Sequence, residues 1–516
     1  MIETDVLIIG GGATGAGIAR DLSLRGVKCI LVEQQDFNNG ATGANHGLLH
    51  SGARYVAKDP EAASECRVEG EILKKLAPHC IENTGGLFVA VEGDDEKYAA
   101  DFPAMCKRAD IPVKSISLKE AFEMEPSLSD RLISAYYVED SSIDPFRLTL
   151  DNMNDALNNG SKCFRFTKVE GFSKDGRVIK SAFLRDKNTN NVFEVRALQY
   201  INAAGAWAGN IASLAGAYIP MVYSKGTLII TSSRINKRVI NRLRLAGDAD
   251  ILVPGGTVSI LGTTSVEIDD LDNIRPTSRE VDLIISEGMK MVPCLENVRY
   301  VRSYAGVRPL VCFGEKAGRK ISRNYTLMDH EDQGIDNFIS ITGGKLTTYR
   351  LMAEKTSDLC CKRLKNTNPC LTDSIPLPES EGSSWTMPGK SASEWLGSNS
   401  PKDTLLCECE MVSKSMVDSV VKEIVSQGRT PTLKEIGLRT RLGKGSCQGA
   451  FCSFRTAAYL YDCGVLKNEE GIKEIKEFIN ERWKGFMPLI REKEFAQVEL
   501  QEAFLCNLFG LENSNI

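Results

Sequence analysis

The stretch Val6-Leu7-Ile8-Ile9-Gly10-Gly11-Gly12-Ala13-Thr14-Gly15 constrains this chain more than any other. Val6–Ile9 is a short apolar run, mostly β-branched, as a strand buried on both faces requires. Gly10, Gly12 and Gly15 then fall in the G-x-G-x-x-G spacing. The first glycine permits a tight turn, the second lets backbone approach a pyrophosphate, and the third lets a helix pack closely on the strand. Ala16, Ile18, Ala19 and Leu22 continue as that helix, with its first N–H groups aimed at the phosphates. A second strand, Lys28 to Val32, ends at Glu33, 18 residues beyond Gly15. That is the place of an acid that binds the ribose hydroxyls of an adenosine. Glycines alone would be weak evidence, since they punctuate many turns; strand, helix, strand and acid in order make a dinucleotide site.

A nicotinamide enzyme would usually continue with further βα units. Here the chain runs instead into Ala41-Thr42-Gly43-Ala44-Asn45-His46-Gly47-Leu48-Leu49-His50-Ser51-Gly52-Ala53-Arg54-Tyr55, a small polar loop able to wrap backbone around a second ring system. It resembles the flavin-contacting loop of the FAD-dependent glycerol-3-phosphate dehydrogenases, in the form carried by one flavoprotein subunit of the anaerobic enzymes. The segment Asn202-Ala203-Ala204-Gly205-Ala206-Trp207 is similar to the Asn-Ala-x-Gly-x-Trp segment of the same flavoenzyme superfamily. The resemblance implies an α/β chain with a Rossmann-like FAD-binding domain, an inserted antiparallel-sheet substrate domain and a small helical C-terminal [2Fe–2S] domain. It implies FAD contacts from Gly10, Gly12, Ala13, Thr14, Gly15 and Glu33, then from Thr42, Gly43, His46, Gly47 and Leu49. Val169 would pass the adenine, while Ala204, Gly205 and Trp207, with Gly343, Gly344, Lys345, Leu346 and Thr347, would complete the set.

On this reading the FAD-binding domain is discontinuous, 1–80, 142–215 and 301–365, with substrate-binding segments 81–141 and 216–300 inserted in it. Prolines, serines and glycines crowd Ser374 to Pro401, which reads as a linker over 366–400. A cysteine-marked module at 401–465 and a helical tail at 466–516 follow. No run approaches the ~18 apolar residues of a membrane helix, and the acidic start Met1-Ile2-Glu3-Thr4-Asp5 enters a strand at once, unlike a signal peptide. A net charge of -5 offers no basic field for nucleic acid. Most of the sixteen cysteines stand singly; Cys29, Cys163, Cys294 and Cys312 read as small buried hydrophobes, which fits a reducing cytoplasm.

Four cations sit in glycine- or proline-bounded turns or short polar loops: Arg54, Arg308, Arg323 and Lys345. A phosphomonoester carries nearly two negative charges, and its recognition calls for guanidinium forks plus a further cation. Any one of them alone would be a solvated surface charge, but the resembled family places its substrate arginines in these same motifs. The resemblance therefore implies sn-glycerol 3-phosphate as substrate, bound by Arg54, Tyr55, Arg308, Arg323 and Lys345. Arg54 and Arg323 would hold the phosphate; Arg308 and Lys345 would lie nearer the reacting carbinol. Among only four histidines, His50 is the base candidate by loop position and ordinary pKa. A structural hydrogen bond beneath the flavin is its competing role.

Cys407-Glu408-Cys409 and Cys447-Gln448-Gly449-Ala450-Phe451-Cys452 form C-x-C and C-x₄-C pairs with 37 residues between them. Four thiolates can hold zinc or an iron–sulfur cluster. The tight C-x-C argues against a zinc knuckle, and the arrangement resembles the bacterioferritin-associated-ferredoxin-like domain, which implies a [2Fe–2S] cluster. In the resembled family this flavoprotein works with a second flavoprotein subunit plus a membrane-docking iron–sulfur subunit, passing electrons to quinone. The chain itself would be cytoplasmic, held at the inner face of the membrane by those partners. Competing readings are a same-fold oxidoreductase for another small 2-hydroxy or amino acid, a glycerol-3-phosphate oxidase, and a non-catalytic electron carrier.

Overall fold

The computed structural model describes residues 1–313, 324–380, 395–397 and 399–491, and a few positions beyond (495–496, 498–500, 502–503). Strand Ile2–Ile9 is the axis of the first sheet. Val6, Leu7 and Ile8 are fully buried, as a run apolar on both faces dictates, and each such side chain contributes about 1.5–3 kcal/mol of burial. It pairs in parallel with Cys29–Val32 on one side and Val192–Asn202 on the other. Lys162–Phe164 and Phe338–Gly343 extend the parallel core. The strands Thr167–Asp175, Val178–Asp186 and Tyr325–Asp329 are added antiparallel. Helices Ala13–Leu24, Pro145–Asn158 and Tyr349–Leu364 cover one face, and helix Ala208–Ala215 packs on the other.

The second sheet has nine strands, in order Val266–Ile268, Met221–Thr231, Val258–Gly262, Ile251–Gly255, Val239–Arg242, Gly86–Val91, Leu132–Val138 and Lys114–Ile116, with Tyr300–Val311 beside Met221–Thr231. It departs from the expected antiparallel sheet at one place. Val239–Arg242 lies parallel to Gly86–Val91, where the two inserted segments meet; pairing between distant segments leaves no trace in local periodicity. Strand Tyr300–Val311, read from sequence with the FAD-binding segments, belongs to this sheet and pairs with Met221–Thr231 along its length.

Beyond 400, a hairpin of Leu405–Cys407 and Val412–Ser413 precedes helices Lys414–Ser426, Leu433–Thr440, Cys452–Asp462 and Glu470–Phe486. Leu406, Val417, Ile436, Leu460 and Ile475 share one small core. The tail helix is thus part of the cysteine module rather than a separate element. It also docks on the second sheet, where Ser303 Oγ donates to the Gly485 carbonyl at 2.6 Å.

The linker reading also needs correction over its first half. Leu377 is buried against Leu73 and Tyr349, and Arg20 donates to the carbonyls of Ile375 and Pro376. Proline-rich composition signals the absence of regular structure, not the absence of packing. Residues 381–394 and 398 lie outside the described residues. Of the four singled-out cysteines only Cys29 is buried; Cys163 and Cys312 are half-buried and Cys294 is exposed. Among the described residues no helix is long and apolar enough to cross a membrane.

Candidate active site and cysteine centre

The turn after Ile9 opens into a cleft of about 910 Å³ that runs between the two sheets. Gly10 has φ +118°, and a Cβ there would stand 2.5 Å from the Ala203 carbonyl oxygen, so only glycine fits. A Cβ on Gly15 would stand 1.9 Å from the Gly10 carbonyl oxygen; this is the close approach of helix to strand. On Gly12 it would meet only Thr42, with Oγ1 at 3.1 Å, because this glycine faces the open cleft. The helix that follows has no side-chain cap and no acid in its first turn; Ala13 N–H donates to Thr42 Oγ1 at 3.1 Å. Its positive end is therefore available to an anion. Glu33 accepts from Gly11 N–H at 2.7 Å and from Gln35 N–H at 2.9 Å. Burial pushes its carboxyl above the usual range, against the pull of those N–H groups.

Most of the expected cofactor contacts line this one cleft: Gly10, Gly12, Ala13, Thr14, Glu33, Thr42, His46, Val169, Ala204, Gly205, Trp207, Gly343, Gly344, Lys345 and Leu346. Five do not. Gly15 packs as described. Gly43 and Gly47 lie against the carbonyls of Asn38 and Ile143, Leu49 is in the core beside Ala13, and Thr347 Oγ1 accepts from the His50 N–H at 3.1 Å. These five shape the walls from behind. Glycine-lined walls and an uncapped helix together fit a dinucleotide.

The same cleft also carries charged groups. Arg54, Tyr55, His50, Arg308 and Lys345 all line it. Arg308 projects from strand Tyr300–Val311 opposite Ser224 and donates to Ser224 Oγ at 3.4 Å, the Thr264 carbonyl at 3.1 Å and Thr263 Oγ1. A Cβ on Gly226 would stand 2.5 Å from its Nη2, so the guanidinium occupies space that this glycine leaves. Glycine inside a strand is a sequence sign of close approach, and Gly226 is the one legible clue to this contact. Arg54 pairs at 2.9 Å with buried Asp250, which also binds Arg244. Burial would raise the Asp250 carboxyl, yet the two arginines and the Gly247 N–H hold it below its ordinary value. His50 is nearly buried, with Nε2 3.3 Å from the Tyr55 hydroxyl, and Lys345 Nζ lies 4.7 Å from the Tyr55 ring centre. Arg323 lies outside the described residues. Thr263 lines the cleft, with buried Asp250 and Thr264 behind it as partners of Arg54 and Arg308; none of the three carries a sequence signal, because only the pairing of strands brings them there.

In the C-terminal module the four cysteines come together. The Cys452 thiol hydrogen-bonds with those of Cys407 and Cys447, and Cys447 with Cys409. Glu410 and Gly443 offer backbone N–H groups to Cys407, and Gly449 and Phe451 to Cys447. The Cys452 thiol, followed by these donors, draws the Cys407 and Cys447 thiols below their ordinary pKa against the effect of burial, while burial raises Cys409 and its bonds to Cys407 and Cys447 raise Cys452. Such a donor set suits thiolates bound to metal. Among the described residues, the one group with three ligand atoms all within 4.8 Å is instead His79, Cys80 and Asp151. There the His79 Nε2–Asp151 contact of 2.8 Å is a buried pair, with Arg147 3.7 Å from the same oxygen.

A cleft of this construction defines a dinucleotide-dependent oxidoreductase, and the chain belongs to the FAD dependent oxidoreductase family, whose model matches residues 5–356. More particularly, it is 42% identical to one subunit of the anaerobic glycerol-3-phosphate dehydrogenase of Escherichia coli K12, over 98% of this chain and 97% of that one. It is equally similar, at 42%, to the corresponding subunit of the Haemophilus influenzae enzyme, over 99% of this chain and 94% of that one. Among solved structures it superposes on glycerol-3-phosphate dehydrogenase from Bacillus halodurans complexed with FAD, with TM-score 0.67 at 24% identity, covering 95% of this chain and 96% of that chain.

Proposed function

We propose that this chain is an FAD-dependent dehydrogenase that oxidises the C2 alcohol of sn-glycerol 3-phosphate to dihydroxyacetone phosphate. The observation that carries the reading is a single cleft lined both by the dinucleotide turn and by Arg54, Arg308, Lys345 and His50. When bound, FAD supplies the acceptor for the hydride leaving C2. The glycine turn and the helix start hold its pyrophosphate; Glu33 holds the ribose.

Arg54, with Arg323 from the sequence motif, binds the phosphate dianion, a task for forked donors in a partly desolvated site, and Arg308 lies nearer the reacting carbinol. Lys345 positions the carbinol. His50 Nε2 takes the hydroxyl proton, oriented by its backbone bond to Thr347 and by the Tyr55 hydroxyl. A single carboxylate would need one bidentate arginine, so the cationic set favours a phosphomonoester over a 2-hydroxy or amino acid.

Cys407, Cys409, Cys447 and Cys452 hold a [2Fe–2S] cluster that receives electrons from the cleft and passes them to partner subunits; the relatives, named as single subunits of a larger enzyme, favour such partners. Support comes from the N–H donors around the thiols and from the tight C-x-C pair, which does not suit a zinc knuckle. An anaerobic visible spectrum tests the core of the reading. Glycerol 3-phosphate should bleach the flavin absorbance, and glycerol, lactate and glycine should not; failure to bleach with glycerol 3-phosphate would overturn it.

A further inference from the structure

The shell around the cysteine centre carries more positive charge than its carboxylates neutralise. Arg441 takes two of the nearby acids, Asp144 at 2.6 Å and Glu410 at 2.7 Å; a third, Glu481, is paired with Lys484 at 2.7 Å and also faces Arg302 and Arg482. Lys444, three residues before Cys447, keeps a buried Nζ with no hydrogen-bond partner, 3.3 Å from the centre of the Phe146 ring, and burial draws its pKa down to about 7. Arg302 Nε is likewise buried without a partner. Arg482 donates from Nη2 to the Gly443 carbonyl at 2.7 Å and from Nη1 to Gln448 Oε1 at 3.1 Å, and it stacks on Phe478 at 4.7 Å. Both of its partners are neutral oxygens. They sit in the two turns that serve the centre, since Gly443 N–H faces Cys407 and Gln448 follows Cys447.

Buried cations without carboxylate partners are costly unless an anion compensates them. Four metal-bound thiolates are such an anion. The shell also touches the cofactor loop: a Cβ on Gly43 would stand 3.2 Å from the Phe146 ring on which Lys444 rests. Lys444 thus lies on the side of the module that meets the cofactor loop.

We infer that Arg482 is the charge partner of the cysteine-held centre, a positioning residue that raises its reduction potential and so draws electrons out of the cofactor cleft. The inference rests on the cluster reading above. The step it favours is the transfer of one electron from reduced cofactor to the centre, with no bond made or broken. The added negative charge meets a guanidinium already in place, so the reduced centre gains more from Arg482 than the oxidised one does. Because both hydrogen bonds of Arg482 go to neutral oxygens, its charge is not spent on them.

The test uses the full-length holoenzyme purified anaerobically. Iron, zinc and acid-labile sulfide are assayed, and the centre is titrated potentiometrically with EPR detection. Arg482→Gln should keep its iron while its affinity for one electron falls about tenfold, a midpoint lowered by about 59 mV. Arg482→Lys keeps the charge and loses the fork, so it should retain iron and stay near the wild-type midpoint. Retention of iron by Lys but not by Gln supports the same assignment. A Gln variant with full iron and an unmoved midpoint would overturn it, as would equal loss of iron from both variants, which marks Arg482 as a mechanical clamp. Zinc without iron in the wild type would overturn the cluster reading itself, before any variant is compared.

Discussion

The glycine turn at Gly10–Gly15 and the cysteine turns at Cys407–Cys452 present their binding groups in opposite ways. At the first turn side chains are absent so that backbone can do the binding, and the rigidity comes from a parallel sheet whose central strand is buried on both faces. At the second, side chains make the bonds, and the backbone and cations are arranged around them on a small core of their own. A site built from missing atoms fails when an atom is added. A site built from ligand atoms fails when one is removed, and it leaves the rest of the fold standing.

Substitutions at four positions sharpen that contrast. The largest effect is expected at Gly15→Val, since even a first carbon would stand 1.9 Å from the Gly10 carbonyl oxygen. Stability should drop by about 3 kcal/mol or more and the purified protein should lose its yellow colour; thermal unfolding and the FAD-to-protein ratio measure both. Cys452→Ser comes next. Iron should fall to background while glycerol 3-phosphate still bleaches the flavin, so a variant that loses both properties would show that the two regions are one cooperative unit.

Arg308→Ala tests the charged lining of the cleft. It should lower kcat/KM about 100- to 1000-fold, equivalent to about 3–4 kcal/mol of transition-state stabilisation. Arg308→Lys should recover little of it, because an ammonium cannot reproduce the fork that fits beside Gly226. Wild-type steady-state kinetics in the alanine variant would remove Arg308 from the substrate site.

The smallest effect probes the seam between the regions. Asp36 lies three residues beyond Glu33 and is bound by Arg439 of the cysteine module at 2.8 Å and by Arg165 at 3.0 Å. Burial works against its ionisation, but the two arginines hold its carboxyl below the usual range. Its folded pKa is therefore below its unfolded one, so its contribution is present above about pH 4 and is lost as pH falls through the folded value. Asp36→Asn should cost about 2 kcal/mol at neutral pH, and the gap to wild type should close in acid. Thermal unfolding across pH 3 to 7 follows it; a gap that persists in acid would show that Asp36 acts through packing alone.

Both centres are legible in the chain for a common reason: each is local. Val6 to Glu33 carries its own strand, turn, helix and strand, and C-x-C with C-x₄-C carries its own ligands. Within each motif, spacing along the chain sets spacing in space, but the two cysteine pairs, 37 residues apart, meet only through the fold of the module. What lies beyond is the work of pairing between distant segments. Tertiary structure alone decided that Tyr300–Val311 joins the second sheet, that Val239–Arg242 runs parallel to Gly86–Val91, and that Arg308 meets Gly226 and Thr263. It alone set Asp250 between Arg54 and Arg244, and Arg482 across the two cysteine turns. A strand's alternation tells which residues share a face but not which strand lies beside it, so contacts made by register across a sheet cannot be read from one segment.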